Sequence, residues 1–302
     1  MRLARSIIWT GFTLAIVAGA GLLWRPVSYF DGAMYLREAL TGVHNREVVV
    51  DGIRLHYLVA GPENGKPVVL VHGLGGRAED WRNLTPALVH AEYRVYMPDL
   101  PGFGRSERPA SFSYSVHDQA RIVIAFMDAM NLDRVDLGGW SMGGWIAQLV
   151  ASQIPGRINR LMLFDSAGIH VEPDWDTRLF TPANAAELDQ LDALLMPDPP
   201  KLPGFVARDI LRVSHEDGWI LRRAMASMLT GQDATDALLP TLEMPVLIVW
   251  GDRDHITPFT QGQMMLKLLP HAELDAVAGC GHLAPVQCSS QIAPKMVQFL
   301  NR

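Results

Sequence analysis

The residue types best suited to chemistry are a serine, an acid and a histidine set far apart along the chain. Gly139-Trp140-Ser141-Met142-Gly143 follows the apolar run Val135–Gly138 and opens the helical stretch Gly143–Gln153. A strand-to-helix turn this tight needs small residues two positions either side of the serine. It holds the hydroxyl above the strand, at the N-terminus of a helix. A serine hydroxyl is a poor nucleophile at neutral pH until a base removes its proton. His282, in Gly279-Cys280-Gly281-His282 after the last strand candidate, can reach back to Ser141 from a loop. The imidazole in turn needs an acid that fixes its tautomer and stabilises its charged form. Asp254, in Gly251-Asp252-Arg253-Asp254, is the expected acid, with Asp165 next and Asp252 last.

Acyl chemistry also needs donors for the oxygen that becomes negative. His72-Gly73-Leu74-Gly75-Gly76 follows the run Val68–Val71, and its glycines let the backbone approach a substrate carbonyl. The expected oxyanion hole is the N–H of Leu74 with the N–H of Met142, the residue after the serine. His72 is read as a structural residue that holds this loop. Trp140, Phe180, Met196 and Phe205 are the expected substrate-binding residues, and Trp175, Leu188, Leu195, Trp219, Met225 and Met228 join Phe180, Met196 and Phe205 as candidates for an apolar tunnel. No metal or organic cofactor is expected for chemistry of this kind.

To bring these residues together the chain must alternate strands and helices. Glu47–Val50 and Ile53–Val59, split by Asp51-Gly52, read as a hairpin. Val68–Val71, Arg94–Met97, Val135–Gly138, Leu161–Phe164, Val246–Trp250 and Glu273–Val277 read as further strands. Helical stretches lie between them at Ala78–His90, Val116–Met130, Gly143–Gln153, Phe259–Leu269 and Ser289–Leu300. The alternation predicts an α/β fold: a mostly parallel, eight-stranded sheet covered by helices on both faces. One interval breaks the rhythm, because residues 168–240 carry helical spacing, a Pro-rich loop from Pro197 to Phe205 and no convincing strand. They read as an inserted helical cap on a core formed by 46–167 and 241–302.

The amino terminus has a different character. No charged residue occurs from Ser6 to Trp24, long enough for one helical crossing of a bilayer, and Trp9 and Trp24 stand near its ends. Residues 1–25 are expected to be a single-pass anchor. A cleaved signal is the rival, suggested by Ala18-Gly19-Ala20 and opposed by Leu22, Leu23 and Trp24, which continue the apolar run. Residues 26–45 then form a juxtamembrane linker. Arg2 and Arg5 ahead of the segment bias the amino terminus inward and place the catalytic part outside the cytoplasm.

Composition excludes several classes. With 302 residues, 49% hydrophobic, the chain has ample core material and is no disordered or fibrous protein. Lys and Arg number 26 against 32 acids, giving a net charge of −6, and no basic run tracks a phosphate backbone, so no nucleic-acid partner is expected. Cys280 and Cys288 are too few for a disulfide scaffold and wrongly spaced for zinc; they are read as buried free thiols, with pairing left open.

Taken together, His72–Gly76, Pro98-Asp99-Leu100-Pro101-Gly102-Phe103-Gly104-Arg105-Ser106, Gly139–Gly144, Gly251–Asp254 and Gly281-His282 resemble the landmarks of the α/β-hydrolase superfamily, in order, over about residues 46–302. The order Ser141, Asp254, His282 is that superfamily's order. A serine at the elbow argues against haloalkane dehalogenases and epoxide hydrolases, which carry aspartate there. Ser141–Gly144 and Asp165–Gly168 resemble the carbon–carbon bond hydrolases of aromatic degradation, whereas Leu74 and Trp140 depart from them. The apolar N-terminus and cap look more like membrane-anchored monoacylglycerol lipases and bacterial lipases. The resemblance therefore implies a serine carboxylic-ester hydrolase acting on lipid esters such as monoacylglycerols, with the bilayer as a partner. Carbon–carbon bond hydrolysis and cofactor-free perhydrolysis are the alternatives on the same triad, and a binding protein without turnover is the remaining one.

Overall fold

The structure is a computed structural model that describes residues 23–302. Helix α1 (Pro26–Leu40) leads into the hairpin β1 (His44–Val50) and β2 (Ile53–Ala60). There follow β3 (Lys66–Val71), a 3-10 turn at Ala78–Asn83, α2 (Thr85–His90), β4 (Tyr93–Pro98), α3 (Val116–Ala129), β5 (Val135–Trp140), α4 (Met142–Gln153) and β6 (Ile158–Phe164). The interval expected as a cap holds α5 (Ala185–Leu195) and α6 (Gly204–Met228) and no strand. The chain closes with β7 (Val246–Gly251), α7 (Phe259–Leu268), β8 (Ala272–Val277), the short α8 (Ala284–Gln287) and α9 (Ser289–Leu300).

The strands form one eight-stranded sheet in the order β1-β2-β4-β3-β5-β6-β7-β8. The β1/β2 and β2/β4 pairs are antiparallel, and every pair from β4 to β8 is parallel. Side chains alternate across a strand, and that period builds two cores. Val69 and Val71 of β3 with Leu161 and Leu163 of β6 pack on one face, with Ile122, Phe126 and Ile146 from α3 and α4. Val68, Leu70, Met162 and Phe164 point the other way, to Trp81, Leu88, Ile292 and Met296. Because β3, β5, β6 and β7 are covered on both sides, they are almost continuously apolar, as the sequence pattern requires.

The structure departs from the sequence reading in three places. The expected helix Ala78–His90 is two elements, because Pro86 opens a new first turn in α2 after the 3-10 segment. Residues 26–45, expected as a linker, are mostly helix α1, which docks by burying Met34 and by giving the Val27 N–H to Asp209 of α6 at 2.9 Å. Cys280 and Cys288, read as free thiols, are joined in a disulfide with Cα atoms 6.4 Å apart. The physical reason is a local reversal: the chain turns at Gly279 (φ 74°) after β8, and the single turn of α8 carries Cys288 back beside Cys280. The segment expected to cross the membrane, Ser6–Trp24, lies outside the described residues except for Leu23 and Trp24. Among the described residues no helix is long and apolar enough to cross a membrane.

Candidate active site

The turn between β5 and α4 shows why glycines flank Ser141. A side chain at Gly139 would run into the Gly143 carbonyl, and one at Gly143 into the carbonyls of Val71 and His72. Ser141 itself has φ 55° and ψ −120°, a left-handed conformation held by its N–H donating to the Phe164 carbonyl at 3.0 Å. Such strain persists only where surrounding structure imposes it, and it is commonest at functional sites.

Ser141 lies above the parallel strand ends, and two loops converge on it. His282, on the loop after β8, brings Nε2 to 2.9 Å from Ser141 Oγ. Its Nδ1 is 2.8 Å from Asp254 Oδ2, on the loop after β7. Asp254 Oδ1 accepts from the N–H groups of Ile256 and Thr257 at 2.8 and 3.0 Å, and Oδ2 also accepts from the Thr257 hydroxyl at 2.8 Å. With the carboxylate saturated by donors, Nδ1 is the protonated ring nitrogen and Nε2 is the free acceptor for the serine proton. All three side chains belong to buried residues.

The rival acids are disposed of by position. Asp252 is exposed and accepts the Gly279 N–H at 2.7 Å. Asp165 is fully buried; its Oδ1 accepts from the Gly251 N–H at 2.7 Å and its Oδ2 has no partner among the described residues. Burial first, and the Asp254 charge second, push the Asp165 carboxyl well above the usual carboxylate range. His282 therefore pairs with Asp254.

The loop after β3 sits across from the serine. His72 Nε2 accepts the Leu100 N–H at 3.0 Å, so its Nδ1 carries the proton and donates to the Gly73 carbonyl at 2.8 Å. The Gly76 N–H reaches the same carbonyl at 3.0 Å. In a trans peptide the carbonyl and the following N–H point opposite ways, so pinning the Gly73 carbonyl turns the Leu74 N–H away from His72. Burial lowers the His72 pKa, which favours the neutral ring this geometry needs. Met142 opens α4, where the first helical N–H groups have no partner inside the helix.

A cavity of about 130 Å³ opens over Ser141, between the sheet and the helical insert. Leu74 and Thr257 share its wall with Ile169, Val171, Trp175, Phe180, Met225 and Met228. Of the residues expected to bind substrate, Phe180 lines this cavity, packed against Trp175 with ring centres 5.4 Å apart. Trp140, Met196 and Phe205 do not. The Trp140 indole N–H donates to the His282 carbonyl at 2.8 Å and so braces the histidine loop from below. Met196 belongs to a stretch that packs against Gly281, and Phe205 lies in the first turn of α6. Thr257 escaped the sequence reading; its signal is an Asp-x-x-Thr turn in which the aspartate caps the backbone it precedes. No group of His, Cys, Asp and Glu that could hold a metal occurs among the described residues.

A family model described as the alpha/beta hydrolase fold matches residues 66–229. The chain belongs to this family, and it is a hydrolase. It is 26% identical to Lipase 1 of Psychrobacter immobilis, over 83% of this chain and 82% of that protein. It is 27% identical to 2-hydroxymuconate semialdehyde hydrolase of Pseudomonas sp. strain CF600, over 84% of this chain and 93% of that one. Among solved structures it resembles a membrane phospholipase A described as a bacterial virulence factor, with a TM-score of 0.83, 27% identity and 98% of each chain covered.

Proposed function

We propose that the protein is a serine carboxylic-ester hydrolase that cleaves lipid esters such as monoacylglycerols through an acyl-enzyme. The observation that carries this is the hydrogen-bonded line Ser141 Oγ, His282 Nε2, His282 Nδ1, Asp254 Oδ2 beneath a mostly apolar cavity. Ser141 Oγ attacks the ester carbonyl carbon while His282 Nε2 takes its proton and Asp254 stabilises the imidazolium. The carbonyl oxygen becomes an oxyanion, held by the N–H groups of Leu74 and Met142 and favoured by the positive end of α4. His282 then gives the proton to the leaving alcohol. In the second half it takes a proton from water, whose oxygen attacks the acyl carbon, and returns that proton to Ser141 as the carboxylic acid leaves. The helical insert, residues 168–240, acts as a cap whose Phe180, Met225 and Met228 receive the acyl chain, methionine being adaptable to chains of different shape.

The likeness to 2-hydroxymuconate semialdehyde hydrolase supports a second reading, carbon–carbon bond cleavage on the same triad. The cavity lining disfavours it, because among the described residues no Arg or Lys lines the cavity to hold an anionic substrate of that kind and Glu172 lies in the wall. We further assign residues 1–25 as a membrane anchor with the catalytic part outside the cytoplasm. Support comes from the membrane phospholipase likeness, from the exposed Trp24 at the segment's end, and from a disulfide of a kind that persists in oxidising compartments.

The test is hydrolysis of p-nitrophenyl esters and monoacylglycerols of graded chain length. Serine-dependent activity peaking at medium or long chains is expected. Ser141→Ala is expected to abolish turnover with an unchanged circular dichroism spectrum. Inert esters with a fluorophosphonate still labelling Ser141 would move the assignment to carbon–carbon cleavage.

A further inference from the structure

A second cavity, of about 310 Å³, lies between α1 and the sheet, and it shares no lining residue with the cavity over Ser141. Its walls are apolar: Met34 from α1, Leu58 and Ala60 from β2, Val89 from α2 and Met97 from β4. Two guanidinium groups and an imidazole join the lining. Arg37, Arg82 and His90 supply them, and among the described residues no acid lines the cavity, in a chain whose acids outnumber Lys and Arg by 32 to 26. Among the described residues Arg82 reaches the Glu79 carbonyl, at 3.3 Å, and none of the three forms an ion pair.

We propose that this cavity is a second binding site, and that it takes a single-chain fatty carboxylate. The alkyl chain lies among Met34, Leu58, Val89 and Met97, and the carboxylate sits between Arg37 and Arg82. Three features of the site select this class. An apolar pocket with a few convergent polar groups is the general form of a small-molecule site. Guanidinium groups match a carboxylate with paired N–H donors. A volume of about 310 Å³ is within the range of small-molecule pockets and has room for one alkyl chain. Met34 and Arg37 come from α1, so the site is complete only while α1 is docked. The ligand class is that of the acid released by the ester hydrolysis proposed above. The argument for the site rests on its own lining, and its test reads binding and not turnover.

The experiment is photo-crosslinking of a diazirine-tagged dodecanoate to the full-length protein in phosphatidylcholine vesicles, with the tagged peptides mapped by mass spectrometry. Label is expected in peptides covering residues 34–43 and 82–97. Arg37→Glu combined with Arg82→Glu should weaken half-saturation by about tenfold, the scale of losing a charge-assisted contact. Val89→Trp, which fills the cavity, should remove this label while p-nitrophenyl ester turnover stays unchanged. Dodecanol, with the same chain and no charge, should compete at least about tenfold less well than dodecanoate. Label confined to peptides of the helical insert, or label indifferent to the two arginine substitutions, would overturn the second site. Competition by lysophosphatidic acid stronger than by dodecanoate would overturn its assignment to a carboxylate. Loss of ester activity without loss of label would defeat the proposed hydrolysis and leave this site standing.

Discussion

Two buried aspartates, about one strand apart, compete at the site, and geometry gives them different duties. Asp254 receives two backbone N–H groups, the Thr257 hydroxyl and His282 Nδ1, whereas Asp165 receives a single N–H and is held up by burial and by the Asp254 charge. Asparagine imitates a protonated aspartate, so Asp165→Asn is expected to keep most of the turnover. Asp254→Asn presents the wrong partner to the Nδ1 proton and should lower kcat by about 10³–10⁴-fold. Measuring both variants on one ester settles the assignment, since equal losses would remove the distinction. That Ser141, His282 and Asp254 come together was legible in the sequence because each follows a strand and carries glycine or a second acid as a marker. Trp140 was not, because the ring of a residue beside a nucleophile can face substrate or core, and here the His282 carbonyl decides it.

Among the elements, β5 carries the serine and also a cost. Asp136 is 3% exposed in that strand, with the Arg160 guanidinium 3.7 Å away. Burial, offset in part by Arg160 and Lys66, pushes its carboxyl up from 3.8 to about 6. An acid whose pKa is raised on folding binds more protons in the folded state, so stability falls as pH rises from 3.8 through about 6 and the cost is complete above that. The shift corresponds to about 3 kcal/mol. Asp136→Asn is therefore expected to raise Tm at pH 8, with the gain fading through pH 6 and absent near pH 3.5; a thermal melt series checks this. The strands themselves were legible because burial on both faces forces continuous apolar runs. Helix α1 was not, since its place depends on Asp209, 182 positions away, and no local pattern announces such a contact. The insert was legible by length and helical spacing. Which of its side chains reach the cavity was not: Phe180, at the end of the 3-10 turn Thr177–Phe180, does, whereas Met196, just after α5, packs by the histidine loop, and helical spacing alone does not tell the two apart.

At the scale of the whole molecule, Trp24, the last residue of the uncharged segment, is exposed, and Tyr29 and Phe30 are exposed on α1 just after it. The full-length chain should sediment with phosphatidylcholine vesicles, and a chain beginning at Pro26 should stay largely in the supernatant while still cleaving short water-soluble esters. Equal partition of the two would end the anchor assignment. The disulfide adds a property that no other contact supplies. By closing a short loop it is worth about 2–3 kcal/mol on the chain-entropy account, and His282 lies inside the ring it closes, between Cys280 and Cys288. A protease that cuts at exposed Gln287 would thus leave two fragments still covalently joined. On a gel without reductant the nicked protein would run whole, and only added thiol would separate the piece that ends at Gln287 from the last helix.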